Sequence, residues 1–95
     1  MASTDHTVRL TAWVHGDVQG VGFRWWARSR ALELGLIGRA ANLADGRVEI
    51  VAEGSTADCA ALLAALRSAD TPGTVRKVVE RWSDAAGGLR GFVER

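Results

Sequence analysis

The sequence predicts an α+β domain with the ferredoxin-like split βαβ sandwich: an antiparallel sheet, two helices on one face and a short extra C-terminal strand. Two observations predict this class. Segments in which apolar and polar residues alternate are interspersed with two helical segments, in the order βαββαβ. The length, 95 residues, suits one domain. We therefore expect a single domain over residues 1–95, with residues 1–6 as a loose N-terminal tail.

The first half of the chain contains one strand and one helix. Residues 7–15 alternate apolar and polar side chains, as a half-buried strand does. After a turn that contains three glycines, residues 23–34 place apolar groups at helical spacing. Gly35 stands where helices commonly end in a left-handed residue, which predicts the end of this helix.

The second half predicts a hairpin, a helix and two further strands. Asp45-Gly46 between two extended segments is a strong hairpin signal. Ser55 with Asp58 three residues later resembles a capping box and predicts the start of the second helix. The predicted bounds are strands at 36–43 and 47–53, a helix to about residue 69, a strand at 75–82, a loop at 84–88 and a final strand at 91–95.

Composition excludes several classes of function. Twelve basic and eleven acidic side chains leave a formal charge of +1, which gives no overall attraction for nucleic acid or an anionic membrane. The longest apolar run, residues 59–66, is far shorter than the roughly 20 residues that span a bilayer. One cysteine and two histidines provide neither an internal disulfide nor a metal-binding cluster. We expect a cytoplasmic protein that binds no metal, no nucleic acid and no membrane.

A local anion site is predicted between the first strand and the first helix. Gly16, Gly20 and Gly22 fall within seven residues, and glycines let backbone N–H groups converge on a phosphate at a helix N-terminus. Arg24 lies in the first helical turn, where a cation opposes the helix dipole, and a bound anion would resolve that conflict. A simple connecting turn is the alternative, and the segment is neither a Walker loop nor a dinucleotide fingerprint.

Two motifs give a family resemblance. Residues 16–24, Gly-Asp-Val-Gln-Gly-Val-Gly-Phe-Arg, resemble the acylphosphatase signature Gly-x-Val-Gln-Gly-Val-x-Phe-Arg, and residues 38–49 resemble that family's second motif. The resemblance covers about residues 7–95. It implies hydrolysis of the carboxyl–phosphate bond of acyl phosphates to a carboxylate and inorganic phosphate, by metal-free attack of water and without a cofactor.

The resemblance also implies site residues and partners. Arg24 matches the family's phosphate-binding arginine, and Asn42 matches the asparagine that holds the attacking water. The partners implied are a small-molecule acyl phosphate and inorganic phosphate, and we expect a monomer. The backbone amides that would cradle the phosphate are those of Val18, Gln19, Gly20, Val21, Gly22 and Phe23.

Some positions depart from the family pattern or stay open. Arg39 replaces the aromatic residue that usually follows Gly38, so the packing beneath Asn42 is expected to differ from the family pattern. Trp25 and Trp26 are candidates to provide the aromatic surface that is missing at Arg39. The side chain of Gln19 could line the anion site or hold the loop. Arg28 lies one helical turn beyond Arg24 and could add to the positive charge at the anion site, but a solvated position on the helix surface is favoured.

Two other functions compete with the main interpretation. One is a carbamoyl-phosphate-processing module with the same signature, which normally heads a much longer chain. The other is a non-catalytic module that binds a phosphate ligand or RNA on the same sandwich. RNA binding is disfavoured because residues 47–53 carry two acids and no aromatic residue for base stacking.

Overall fold

Seven elements of secondary structure follow one another in the predicted order. The structure is a computed structural model that describes residues 7–95, so the tail predicted for residues 1–6 lies outside the described residues. The elements are β1 (Thr7–Asp17), α1 (Phe23–Glu33), β2 (Ile37–Asn42), β3 (Val48–Ser55), α2 (Thr56–Leu66), β4 (Thr74–Asp84) and β5 (Phe92–Glu94).

The strands form one five-stranded sheet in the order β4-β1-β3-β2-β5. The pairs β1–β3, β1–β4 and β2–β3 are antiparallel, and the predicted ferredoxin-like sandwich is confirmed. The short strand β5 runs parallel to β2, which makes the sheet mixed. This pairing brings the end of the chain beside Asn42, at the edge of the sheet where the candidate site lies.

The core fills the space between the two helices and one face of the sheet. From β1 the alternation places Leu10, Ala12 and Val14 in this core, each fully buried, as their period of two predicts. Helix α1 contributes Phe23 and Ala27, among others. Packing α1 against the sheet fixes the direction in which its N-terminus points, and hence the position of the glycine turn.

The local predictions of caps and turns are confirmed. Gly35 has φ 71°, the left-handed conformation expected after a helix. Gly46 has φ 95° in the turn between β2 and β3. The Ser55 hydroxyl accepts a hydrogen bond from the N–H of Asp58 at 3.1 Å and caps α2.

One prediction about the periphery was wrong. Helix α2 ends at Leu66 rather than near residue 69, because Ser68 folds back and donates its hydroxyl to the oxygen of Ala65 at 2.7 Å.

Both faces of β3 are partly covered. Val51 and Glu53 are only 3% and 2% exposed, and two N–H groups of the segment after β4 reach over the sheet to Glu53.

Candidate active site

The glycine turn meets α1 at a helix N-terminus that lacks any side-chain cap. Gly22 is the N-cap, with φ 83° in the left-handed region, and it has no side chain that could accept from the first turn. Helical bonding begins where the N–H of Trp26 donates to the oxygen of Gly22 at 3.0 Å, so the N–H groups of residues 23–25 have no helical acceptor. The first turn also contains no acidic residue. This end of α1 therefore offers unsatisfied donors and a partial positive charge.

Arg24 extends from this first turn toward the end of the chain. Its Nη1 donates to the main-chain oxygen of Arg95 at 2.7 Å. Within residues 7–95 no Asp or Glu side chain forms an ion pair with it. The oxygen of Arg95 holds the guanidinium at this end of α1.

Asn42 lies at the end of β2, next to Arg24 in space. Its N–H donates to the same oxygen of Arg95, at 3.1 Å, while the N–H of Arg95 donates to the oxygen of Ala40 at 2.7 Å. The side chain of Asn42 is exposed and forms no hydrogen bond with another described residue. The structure therefore brings Arg24 and Asn42 together through one backbone oxygen, although 18 positions separate them in the sequence.

Gln19 fixes the turn against the hairpin that follows Asn42. Its Nε2 donates to the oxygens of Leu43 and Arg47, at 2.8 and 3.0 Å. Both donors of this amide are used, so the side chain of Gln19 holds the loop and does not line the cleft. Of its two sequence-based interpretations, the structure favours the one in which Gln19 holds the loop.

A small cavity of about 70 Å³ lies where the turn, α1, β2 and β5 meet. It includes Arg24, Asn42 and four of the six residues whose amides were predicted to cradle a phosphate; Gln19 and Val21 are not part of the lining. Sequence reasoning missed one lining residue, Glu94; of the two tryptophans considered for the displaced aromatic surface, Trp25 lines the cleft and Trp26 does not. The lining residues are Val18, Gly20, Gly22, Phe23, Arg24, Trp25, Asn42 and Glu94.

Two arginines lie differently from their sequence-based interpretations. Arg28, predicted as solvated, is half-buried, and its Nε donates to the oxygen of Phe92 at 2.8 Å. It fastens β5 to α1 one helical turn beyond Arg24. Arg39 pairs with Val51 of β3 and lines a second cavity, on the face of the sheet away from the helices; it does not line the cleft that contains Asn42. The departure from the family pattern at Arg39 lies outside the cleft.

Residues 7–95 contain no group of three or more His, Cys, Asp or Glu residues that could hold a metal ion. None of the helices in the same part of the chain is long and apolar enough to cross a membrane.

The fold and this cleft define a class of protein. The chain is a split βαβ sandwich with a cleft at a helix N-terminus that no side chain caps, and within the described residues neither Arg24 nor the Asn42 side chain has an Asp or Glu partner. The family model described as acylphosphatase matches residues 10–93. The chain belongs to the acylphosphatase family.

Individual relatives agree with this assignment. The chain is 64% identical over 95 residues to a protein named acylphosphatase from Saccharopolyspora erythraea, with each chain covered completely. The solved structure of an acylphosphatase from Coxiella burnetii superimposes with a TM-score of 0.85 and 30% identity, over 99% of this chain and all of that one. The T. kodakarensis HypF structure has a TM-score of 0.77 and 32% identity, but the match covers 90% of this chain and only 11% of that one.

Proposed function

We propose that this protein is an acylphosphatase, which uses water to split the carboxyl–phosphate bond of an acyl phosphate into a carboxylate and inorganic phosphate. The family membership and the full-length relatives support this activity. One observation carries the mechanism: Arg24 and the backbone of Asn42 share the oxygen of Arg95 at the mouth of the cavity. A charged group for phosphate and an amide group for water are therefore close neighbours.

In this mechanism the phosphate binds at the N-terminus of α1. The N–H groups of the glycine turn and of the first helical turn donate to its oxygens, and Arg24 exchanges the oxygen of Arg95 for a phosphate oxygen. The planar guanidinium can donate two parallel, charge-assisted hydrogen bonds to a phosphate. Arg24 and the amides thereby stabilise the negative charge of the transferring phosphoryl group.

Asn42 positions the attacking water. Its side-chain oxygen accepts a hydrogen bond from the water and its amide group donates, and it brings no negative charge near the phosphate. The water oxygen forms a bond to phosphorus while the bond between phosphorus and the acyl oxygen breaks, and the acyl oxygen keeps the electron pair. The leaving carboxylate has a conjugate acid of pKa about 4, so no general acid is needed to protonate it.

The experiment is hydrolysis of acetyl, benzoyl and carbamoyl phosphate by the purified chain, with and without a chelator. We expect equal release of carboxylate and phosphate from the acyl phosphates at a rate that the chelator does not change. In water enriched in heavy oxygen, the label should enter the phosphate. No rate above that of the buffer would overturn the proposal, and label in the carboxylate would overturn attack at phosphorus. A strong preference for carbamoyl phosphate would favour the carbamoyl-phosphate module instead.

The sequence also predicts a cytoplasmic, monomeric protein that does not bind nucleic acid, and we keep these as proposals. Size-exclusion chromatography with light scattering tests the monomer. Filter binding with single-stranded RNA tests the alternative binding module, for which the open sheet face offers Trp13 as its large aromatic side chain on β1.

A further inference from the structure

Two residues of the cavity have no part in the proposed phosphate chemistry. Val18, Gly20, Gly22 and Phe23 belong to the loop and helix start, while Arg24 and Asn42 hold phosphate and water. This leaves Trp25 and Glu94 without an assigned task. The cavity itself is small, about 70 Å³, so an acyl group attached to a bound phosphate extends out of it and past the residues at its rim.

Trp25 presents an apolar surface at this rim. It directly follows Arg24 in the first turn of α1, and it is 62% exposed, the highest value among the large hydrophobic residues described. Its neighbour Trp26 differs, because it is packed against the core with its ring 5.7 Å from that of Phe23. A large exposed ring beside a cavity offers a flat face on which an apolar or aromatic group can stack.

Glu94 presents a negative charge at the same rim. It lies on β5 opposite Ala40 of β2, two positions after the buried Phe92, so both side chains project from the same side of the strand. Its carboxylate is exposed and forms no ion pair within the described residues. An uncompensated carboxylate disfavours a second negative charge nearby.

We infer that Trp25 and Glu94 determine the acyl specificity of the site, and that they select acyl phosphates with an uncharged, apolar acyl group, aromatic groups above all, over those with an anionic acyl group. This inference rests on the proposed function. The phosphate is common to every acyl phosphate, so discrimination between them depends on the groups that the acyl part meets. Here these are one indole ring and one carboxylate.

The test measures kcat/KM for benzoyl, acetyl and succinyl phosphate, whose acyl groups are aromatic, small and anionic respectively. Trp25→Ala should lower the ratio of benzoyl to acetyl phosphate roughly tenfold, and Trp25→Phe should retain most of that ratio. Glu94→Gln should raise the ratio of succinyl to acetyl phosphate about three- to fivefold, with less effect at high salt. Matched controls are Trp82→Phe on β4 and Glu33→Gln at the far end of α1, neither of which lines the cavity.

The outcomes separate this inference from the proposed function. If the wild type hydrolyses the three compounds but the two variants leave both ratios unchanged, the specificity inference fails and the proposed function stands. If Trp25→Ala lowers kcat/KM equally for benzoyl and acetyl phosphate, the specificity inference also fails, because Trp25 then supports the loop and does not contact the acyl group. If the wild type hydrolyses none of the three, the proposed function fails and the inference with it.

Discussion

Arg24 and Arg95 are joined by a hydrogen bond of 2.7 Å from the guanidinium Nη1 of Arg24 to the main-chain oxygen of Arg95. The same oxygen accepts from the N–H of Asn42 at 3.1 Å. One main-chain oxygen therefore links the two predicted catalytic residues and holds Arg24 at the cleft.

Replacing Arg24 should lower activity strongly and change stability little. Arg24→Gln should lower kcat/KM for benzoyl phosphate about 100- to 1,000-fold, since it removes the charged donor to the phosphate. The melting temperature should change little, because the loss of the exposed hydrogen bond to Arg95 is offset by the removal of a cation that opposes the helix dipole. Arg24→Lys keeps the charge but loses the planar fork, and should restore only part of the activity.

A neighbouring arginine provides the control for Arg24. Arg28→Gln removes the same charge from α1 but breaks the bond to the oxygen of Phe92, at 2.8 Å, and should cost stability, about 1–2 kcal/mol. Equal losses of activity and stability in the two variants would contradict the assignment of phosphate binding to Arg24 alone.

Asn42 should affect turnover without affecting phosphate binding. Asn42→Ala removes the group that orients water, so kcat should fall at least 100-fold. Inhibition by inorganic phosphate, whose site is the loop and Arg24, should persist with a similar inhibition constant. In Arg24→Gln that inhibition should instead weaken strongly. If Asn42→Ala weakened phosphate inhibition as much as Arg24→Gln does, then Asn42 would contribute to phosphate binding and not to water alone.

Replacing Gln19 should lower both the stability of the protein and its catalytic efficiency. Gln19→Ala removes two part-buried hydrogen bonds, of 2.8 and 3.0 Å, to the oxygens of Leu43 and Arg47, each of which keeps one backbone donor. We expect a loss of about 1–3 kcal/mol in the free energy of unfolding, measured in urea, together with a lower kcat/KM. Gln19→Glu should be worse than Gln19→Ala, because its carboxylate would face two carbonyl oxygens. A Gln19→Glu protein as stable as the wild type would show that these two hydrogen bonds do not contribute to the free energy of unfolding.

The sequence predicted the parts of the structure that depend on local pattern. The order of elements, the turn at Gly46 and the cap at Ser55 follow from periodicity and residue type, and the family motifs pointed to Arg24 and Asn42. Contacts between distant positions were not predictable in this way. The bond from Arg28 to Phe92 spans 64 positions, and the place of Glu94 in the cleft depends on the parallel pairing of β5 with β2.

Glu53 is a second example of a contact between distant positions that the sequence pattern did not predict. It lies on the face of β3 opposite to Ile50 and Ala52, yet it is only 2% exposed. Its carboxylate accepts from Arg9 Nε at 2.7 Å and from the N–H groups of Ala86 and Gly87 at 2.9 and 3.3 Å. Those two N–H groups come from the segment that leads to β5. Period-two patterns tell which face a residue is on, but not whether a later segment covers that face.

Glu53 should make the fold sensitive to acid. Burial alone would raise the pKa of this carboxyl, but the N–H of Ala86, the guanidinium of Arg9 and the N–H of Gly87 together hold the pKa below its ordinary value of 4.5. The unfolded chain therefore binds a proton more readily than the folded one. The stabilisation that Glu53 contributes is present above about pH 4.5 and is lost as the pH falls through the lower pKa of the folded state.

Urea unfolding of the wild type and Glu53→Gln between neutral pH and pH 3 measures this contribution. At neutral pH we expect Glu53→Gln to be less stable by about 1–3 kcal/mol, because the half-buried Arg9 and two N–H groups lose their charged acceptor. The difference should shrink as the pH falls below about 4.5, since the wild-type carboxyl is then protonated as well. Asp70→Asn, at an exposed carboxylate in the turn between α2 and β4, should parallel the wild type throughout. If the curves of the wild type and Glu53→Gln also stay parallel down to pH 3, the lowered pKa of Glu53 does not stabilise the fold.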